Sequence, residues 1–245
     1  MDMEHFLTLL FIAEVSYVLV GVDLIRRARE TRGVPELFLG LAFIFNGLSY
    51  FFTDFPIVFE NEAILNEFSF IGRIFAGLCA LTIATFTWRV FRTEDAWAKS
   101  IVWGASALLV LGLTISAFER DWEGAYPLTY KGFWLEWTAG IIPFIWFAVE
   151  SLTAYSRSRR KTRLGIGDPI VTNRFFLIGL YGILATSTYP IYLWMYINYE
   201  RYGLWSDPLQ AFLGTVEVFS LITLWISFAA PAFYRRWIGK AQPSE

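Results

Sequence analysis

Residues 207–236, DPLQAFLGTVEVFSLITLWISFAAPAFYRR, decide how this chain is read. The stretch is long enough to cross a bilayer as a helix and ends on Arg235-Arg236. One ionisable group, Glu217, stands near its middle. At about 1.5 Å of rise per residue, the run from Asp207 sets that carboxylate roughly 15 Å deep. A charge at such depth costs several kcal/mol unless it is neutralised, hydrated or paired, so Glu217 is expected to face the interior of a helix bundle and not lipid.

The rest of the chain agrees with a membrane setting. Of 245 residues, 56% are hydrophobic and only 17% charged, against about a quarter in a soluble domain, which marks a polytopic all-α membrane protein. Cys79 is the single cysteine and lies in an apolar run, so this chain alone builds neither a disulfide framework nor a cysteine metal cluster. The formal net charge of -2 calls for no nucleic-acid partner. Residues 1–5 hold no basic n-region ahead of the first apolar run, which therefore reads as a retained span and not a cleaved signal peptide.

Seven apolar segments are expected to span, at 5–25, 36–52, 67–91, 98–118, 132–155, 170–196 and 208–234, forming one seven-transmembrane domain. Basic clusters follow the odd-numbered segments: Arg26-Arg27-Arg29-Arg32, Arg89-Arg92-Lys99, Arg157 to Arg163, and Arg235-Arg236-Lys240. The opposite loops are rich in acids, among them Asp54, Glu60, Glu62, Glu119, Asp121, Glu123 and Glu200. The positive-inside rule then sets the N-terminus outside and the C-terminus in the cytoplasm, in the cytoplasmic membrane of a bacterium or archaeon. Trp88, Trp97, Trp122, Trp134, Trp205 and Trp237 fall near segment ends, where amphipathic rings anchor to headgroups, while Trp137, Trp146, Trp194 and Trp225 lie farther in. A parallel three-one-three repeat is also suggested: Pro35, 37–41 (LFLGL) and Tyr50 match Pro169, 176–180 (FLIGL) and Tyr189, each set after a basic loop.

Polar groups inside the spans are the candidate ligand-binding or proton-carrying residues: Glu14, Asn46, Arg73, Glu136 and Glu217. Arg73 keeps its charge and so needs a carboxylate or a water-filled vestibule; it either locks helices together or holds an anion. If it shares a pocket with Glu217, the pair favours the ionised acid. Asp23 and Glu150 read as interfacial charges. Asn46, Thr186, Ser187, Thr188 and Ser220 are expected to hydrogen-bond between helices. Gly40, Gly47, Gly179 and Gly182 would allow close helix approach, and Pro143, Pro190 and Pro231 would kink their helices. Gly165-Ile166-Gly167 reads as a turn into the sixth helix and not as a phosphate loop. With His5 as the one histidine, neither a bis-histidine haem, a histidine zinc site nor serine-histidine catalysis can be assembled, so the chain is expected not to be an enzyme and to hold no metal.

The sixth segment reads Ala185-Thr-Ser-Thr-Tyr189-Pro190-Ile-Tyr-Leu-Trp194, the third carries Arg73, and the seventh has Glu217 within Thr215-Val-Glu-Val. In these motifs, in length and in topology, the chain resembles the microbial rhodopsin superfamily. The resemblance adds Tyr189 and Trp194 to the candidate site and casts Glu217 as similar to that family's carboxylate counter-ion. The chain departs from the family where the retinal-binding lysine is expected, at Leu221, and where a proton-accepting carboxylate is expected, at Ala76. The resemblance therefore implies an opsin-like protein with no covalent chromophore, whose ligand or pigment, of unknown identity, is held non-covalently. Sugar and amino-acid transporters of three-one-three design are similar in topology, although the Pro-Gln pair many of them carry is missing here.

Three functions follow as expectations. The first is a sensor or small-ligand-binding module with a pocket near Glu217, Arg73 and Glu14, acting on a cytoplasmic signalling partner through the basic loops. The second is a small secondary transporter or proton-coupled permease, and the third an accessory subunit of a larger membrane complex. The lipid bilayer is the common partner, and a homo-oligomer fits each of them.

Overall fold

The computed structural model describes the backbone of residues 3–58, 65–119, 130–202 and 207–229, with 231, 234 and 238. These residues form seven helices: α1 (Met3–Thr31), α2 (Val34–Val58), α3 (Leu65–Phe91), α4 (Ala96–Phe118), α5 (Lys131–Arg163), α6 (Pro169–Tyr202) and α7 (Asp207–Ala229). No strand occurs among the described residues. Helical stretches at Val34–Thr53, Glu67–Phe91, Ala96–Phe118, Lys131–Arg163 and Pro169–Trp194 are long and apolar enough to cross a membrane, the mark of an integral membrane protein; the apolar part of α7, Phe212–Phe228, is shorter. The loop groups Glu60, Glu62, Asp121, Trp122, Glu123 and Trp205, and the terminal Arg235, Arg236, Trp237 and Lys240, lie outside the described residues, as do the side chains of His5, Asp54 and Glu200.

Helix boundaries differ from the apolar segments for physical reasons. Both α1 and α5 run on through their basic clusters, to Thr31 and Arg163. Arginine and lysine are good helix formers, and cations suit the negative C-terminal end of the helix dipole, so polarity limits a span without ending its helix. The described part of α7 ends at Ala229, and Pro231, which has no amide hydrogen to give, is not helical.

The link from α5 to α6 shows how sequence sets a turn. Gly165 adopts φ 73°, the left-handed conformation that glycine takes at no steric cost. Its N–H donates to Thr162 O at 3.1 Å and that of Ile166 to Lys161 O at 3.1 Å, the paired bonds that close a helix C-terminus. Asp168 then opens α6, its Oδ1 accepting the N–H groups of Ile170 at 2.7 Å and Val171 at 3.4 Å, with Pro169 in the first turn. Asp168→Ala is expected to lower stability by about 1 kcal/mol, measured by thermal unfolding in detergent, whereas Asp168→Asn should lose only a fraction of that.

Packing follows membrane logic. On α4 the inward residues are mostly small, namely Ala98, Ala105, Gly112 and Ser116, while Trp103, Val110, Leu111 and Phe118 are exposed. A helix with its bulk turned outward is stable only against an apolar solvent, and small inward residues let backbones approach. Neighbouring helices pack in the order α1, α2, α3, α5, α6, α7, with α7 touching α1 more sparsely and α4 lying against α3 and α5. The glycines expected to sit at close approaches do so. A Cβ on Gly40 would meet Gly21 O at 2.7 Å, and one on Gly47 would meet Glu14 O at 2.8 Å, both across the α1–α2 crossing. Gly179 and Gly182 fit against Leu152 and Ala148 of α5. Aromatic rings fill the centre: Phe43 packs edge-on against Tyr181 at 6.0 Å, and Phe86 against Phe147 at 5.5 Å.

Candidate functional site

Buried charges locate the parts of the bundle that packing alone does not explain. Arg73 Nη2 donates to Glu136 Oε1 at 2.9 Å, and Ser116 Oγ donates to the same oxygen at 2.7 Å. The site is shaped by α4, since a Cβ on Gly112 would lie 2.8 Å from Glu136 Cγ. At the other end of α3, where the basic clusters gather, Arg92 Nε donates to Glu150 Oε1 at 2.8 Å and reaches Asp95 at 3.4 Å, with Trp97 beneath its guanidinium. Arginine–glutamate pairs thus tie α3 to α5 near both ends. Asp23 lies in an exposed pair with Arg27 at 2.8 Å.

A cavity of about 190 Å³ lies in the interior, with walls drawn from α1, α2, α3, α5, α6 and α7. Its volume has room for on the order of ten waters. Glu217 enters from α7 and is buried. Tyr50 of α2 lines the same cavity. From α1, the Tyr17 hydroxyl donates to the Glu217 backbone carbonyl at 3.4 Å. Three further tyrosines, Tyr181, Tyr189 and Tyr192, line the α6 side, and Trp137 and Phe144 the α5 side. Trp137 stands edge-on to Tyr189 at 5.1 Å. Tyr189 occupies a notch left by Gly140, where a Cβ would meet its hydroxyl at 2.6 Å. Asn46, Ser49, Thr188 and Ser220 complete the polar lining. Among the described residues, Glu217 is the one charged side chain in the wall.

The candidate residues therefore separate into groups. Asn46, Tyr189 and Glu217 share the cavity. Arg73 does not line it and pairs with Glu136 instead, so the expected Arg73–Glu217 pocket is replaced by an α3–α5 lock. Glu14 is buried at the α1–α2 crossing beside Gly47 and is not part of the wall. Trp194 is 49% exposed on the outer surface, as is Trp225 at 45%, while Trp146 is buried against Trp97. Trp194 follows Tyr189 by more than one helical turn, at about 100° per residue, which carries it away from the cavity.

Hydroxyls behave differently from expectation. Thr186, Ser187 and Thr188 donate to Gly182, Leu184 and Ala185 carbonyls of their own helix, at 2.7, 2.7 and 2.8 Å. A short hydroxyl satisfies itself on the preceding turn without needing a partner helix. Both positions of departure from the opsin pattern face inward: Ala76 lines the cavity and Leu221 packs against the apolar core.

Tyr17, Tyr50, Tyr181 and Tyr192 were not among the expected site residues. Their signal was a phenol deep in an apolar run, where the hydroxyl needs a partner. At the basic end, a second hollow of about 520 Å³ is bounded by Asp23, Arg26, Arg27, Glu30 and Arg174. There Arg27 and Arg174 donate to the Phe228 and Ser227 carbonyls at 3.2 and 2.9 Å, capping the C-terminal end of α7. By helix register, fully packed Leu39, Phe43, Ile178 and Leu224 lie between the two hollows. Comparison of the chain with known protein families, curated proteins and solved structures gives no match.

Proposed function

We propose that the chain is a single seven-span membrane domain, N-terminus outside and C-terminus cytoplasmic, that holds a small molecule in the tyrosine-lined cavity around Glu217 and relays its occupancy to a cytoplasmic partner. One observation carries this reading: a buried carboxyl group with six helices and five tyrosines converged on a cavity larger than packing requires. With Leu221 where the opsin-like pattern has its lysine, the ligand is held without a covalent bond. Six helices meet at the cavity, so filling it biases how they pack against one another, and α7, which packs on α6 and touches α1 more sparsely, is the element to move.

A three-one-three arrangement is part of the proposal. Gly40 and Gly179, matched in the repeat, seat α2 on α1 and α6 on α5, and the matched Tyr50 and Tyr189 both line the cavity. The packed layer of Leu39, Phe43, Ile178 and Leu224, buried between Glu217 and the basic end, favours a binding module over a permease.

Native mass spectrometry of gently solubilised protein, with an absorption spectrum of the same sample, tests the reading. A bound small molecule is expected in the native protein and should be lost in Ser220→Leu, which fills the cavity. A native protein that is bare in both measurements, yet drives uptake of a labelled solute into vesicles, would replace this reading with transport. A bare protein bound only to other subunits would replace it with an accessory role.

A further inference from the structure

We propose that the last turns of α5 form a cationic collar that gathers anionic phospholipids around the α5–α6 corner. The inference needs only the membrane setting of the bundle and is independent of what the Glu217 cavity holds.

Three basic clusters of the described chain lie at one end of the bundle, and their surroundings differ. In the α1–α2 cluster four arginines stand among Asp23, Glu30 and Glu36; Arg27 pairs with Asp23 at 2.8 Å and Arg26 with Glu30 at 3.3 Å. In the α3–α4 cluster Arg92 is held by Glu150 and Asp95, while Arg89 and Lys99 lie over the Trp88 ring. The α5 cluster has neither device. Arg157, Arg159, Arg160, Lys161 and Arg163 are all exposed, and none forms an ion pair among the described residues. Asp168 is the one acid near them in the chain, and its Oδ1 accepts the backbone N–H groups that open α6.

Helix register explains the collar. Ser158 and Thr162 face α6, each sharing a hydrogen bond with the Thr172 hydroxyl, at 2.6 and 2.8 Å. At about 100° per residue, the five cations fall on the rest of the circumference, away from that contact. The helix dipole accounts for Arg160, Lys161 and Arg163 in the last turn, but Arg157 and Arg159 precede it. Like charges set this closely repel one another unless anions come between them.

Depth selects the anion. Tyr155 packs against Phe176 at 5.2 Å, and aromatic side chains of this kind suit the membrane boundary. Beyond Tyr155 the five cations rise over roughly 3–12 Å, and the headgroup layer on each face is about 5–8 Å thick. Arginine and lysine also reach back along their own length, so their charged ends meet lipid phosphate. Leu164 and Ile166, both 74% exposed, cap the collar, and basic residues beside exposed aliphatic ones are the composition of membrane-surface segments. Polybasic turns just outside a span are drawn to anionic headgroups, and an acidic soluble protein would have to displace lipid already at that depth.

Native mass spectrometry of the full chain, released from nanodiscs of equimolar phosphatidylcholine and phosphatidylglycerol, counts the lipids that stay bound. The native protein is expected to keep phosphatidylglycerol over phosphatidylcholine by at least about threefold. Arg159→Gln with Arg160→Gln and Lys161→Gln should bring that ratio to within about 1.5-fold of unity. Arg26→Gln with Arg29→Gln and Arg32→Gln, an equal loss of charge at the α1–α2 cluster, should change the native ratio by less than about 1.5-fold. All six side chains are exposed, so both variants are expected to fold, and Arg157→Gln with Arg163→Gln gives an independent reading of the collar. No preference in the native protein overturns the inference, and so does an equal loss in the two triple variants. Inorganic phosphate added at constant ionic strength should leave the lipid count unchanged; if it empties the collar, a free anion is the ligand and the lipid is not. Polyglutamate that binds equally well in nanodiscs of either lipid alone would assign the collar to an acidic protein partner instead.

Discussion

Gly40→Leu is expected to force α1 and α2 apart and to cost about 3 kcal/mol or more, the upper end of what overpacking does. The cause is the identity of the obstacle. A Cβ on Gly40 would sit 2.7 Å from the carbonyl oxygen of Gly21, and one on Gly21 would sit 2.6 Å from the carbonyl of Gly40. Each obstacle is backbone, so no rotamer change relieves the contact and the helices themselves must shift. Gly40→Ala already meets this obstacle and should cost about 1–3 kcal/mol. Adding Gly21→Ala to it should cost much less than a second full increment, because one separation of the helices relieves both clashes. Gly104 supplies the contrast, having nothing within 4 Å of its added Cβ. There alanine should be neutral or stabilising by up to about 1 kcal/mol, from helix propensity. Equilibrium unfolding in mixed micelles, followed by circular dichroism, measures all four. Equal midpoints for Gly40→Ala and Gly104→Ala would show that the α1–α2 crossing is not held at this distance.

The second large effect belongs to the α3–α5 lock. Glu136→Ala is expected to cost about 3 kcal/mol, because it strips a partly buried guanidinium of its carboxylate and leaves the Ser116 hydroxyl to find another acceptor. The penalty reflects the charge left behind more than the worth of the pair. Hence the double replacement Arg73→Met with Glu136→Met should recover most of the loss, since an apolar pair of similar volume carries no buried charge. With Arg73→Met and Glu136→Met also measured singly, the same unfolding assay gives the cycle. A double variant as unstable as the sum of the two single ones would show that Arg73 and Glu136 act independently. Neither variant is expected to change ligand affinity at Glu217 by more than a small factor, as the pair lies outside that cavity's wall.

How far the sequence alone reached can be judged residue by residue. Each of the seven apolar segments falls on a helix among the described residues, and five of those helical stretches are long and apolar enough to cross a bilayer, a demand that is local. The glycines at 40, 47, 179 and 182 were legible as close contacts, since glycine in an apolar helix has few other uses. Helix ends were less legible: basic residues continued α1 and α5 beyond their apolar segments. The candidate site was legible only in part. Glu217, Asn46 and Tyr189 stood out as polar groups at depth and meet in one cavity, but Arg73 and Glu136 stood out for the same reason and meet elsewhere.

Trp194 and the tyrosines show why. Depth along a span can be counted from the sequence, whereas the direction a side chain faces depends on how each helix is rotated against its neighbours. Trp194 belongs to the same motif as Tyr189 and points outward, while Tyr17 and Tyr181, with no motif around them, point in. An aromatic ring suits lipid and protein interior equally, so composition does not record its choice.

Order along the chain thus determined an integral membrane bundle with charges held inside it, because the cost of a polar group in hydrocarbon is paid residue by residue. Only tertiary structure decided which charges meet. Arg73 chose Glu136 over Glu217 because α4 presents Gly112 and Ser116 to α5 and opens a place for the Glu136 side chain beside α3. That choice leaves Glu217 facing a ring of tyrosines, an arrangement set by the relative rotation of six helices and by no single stretch of sequence.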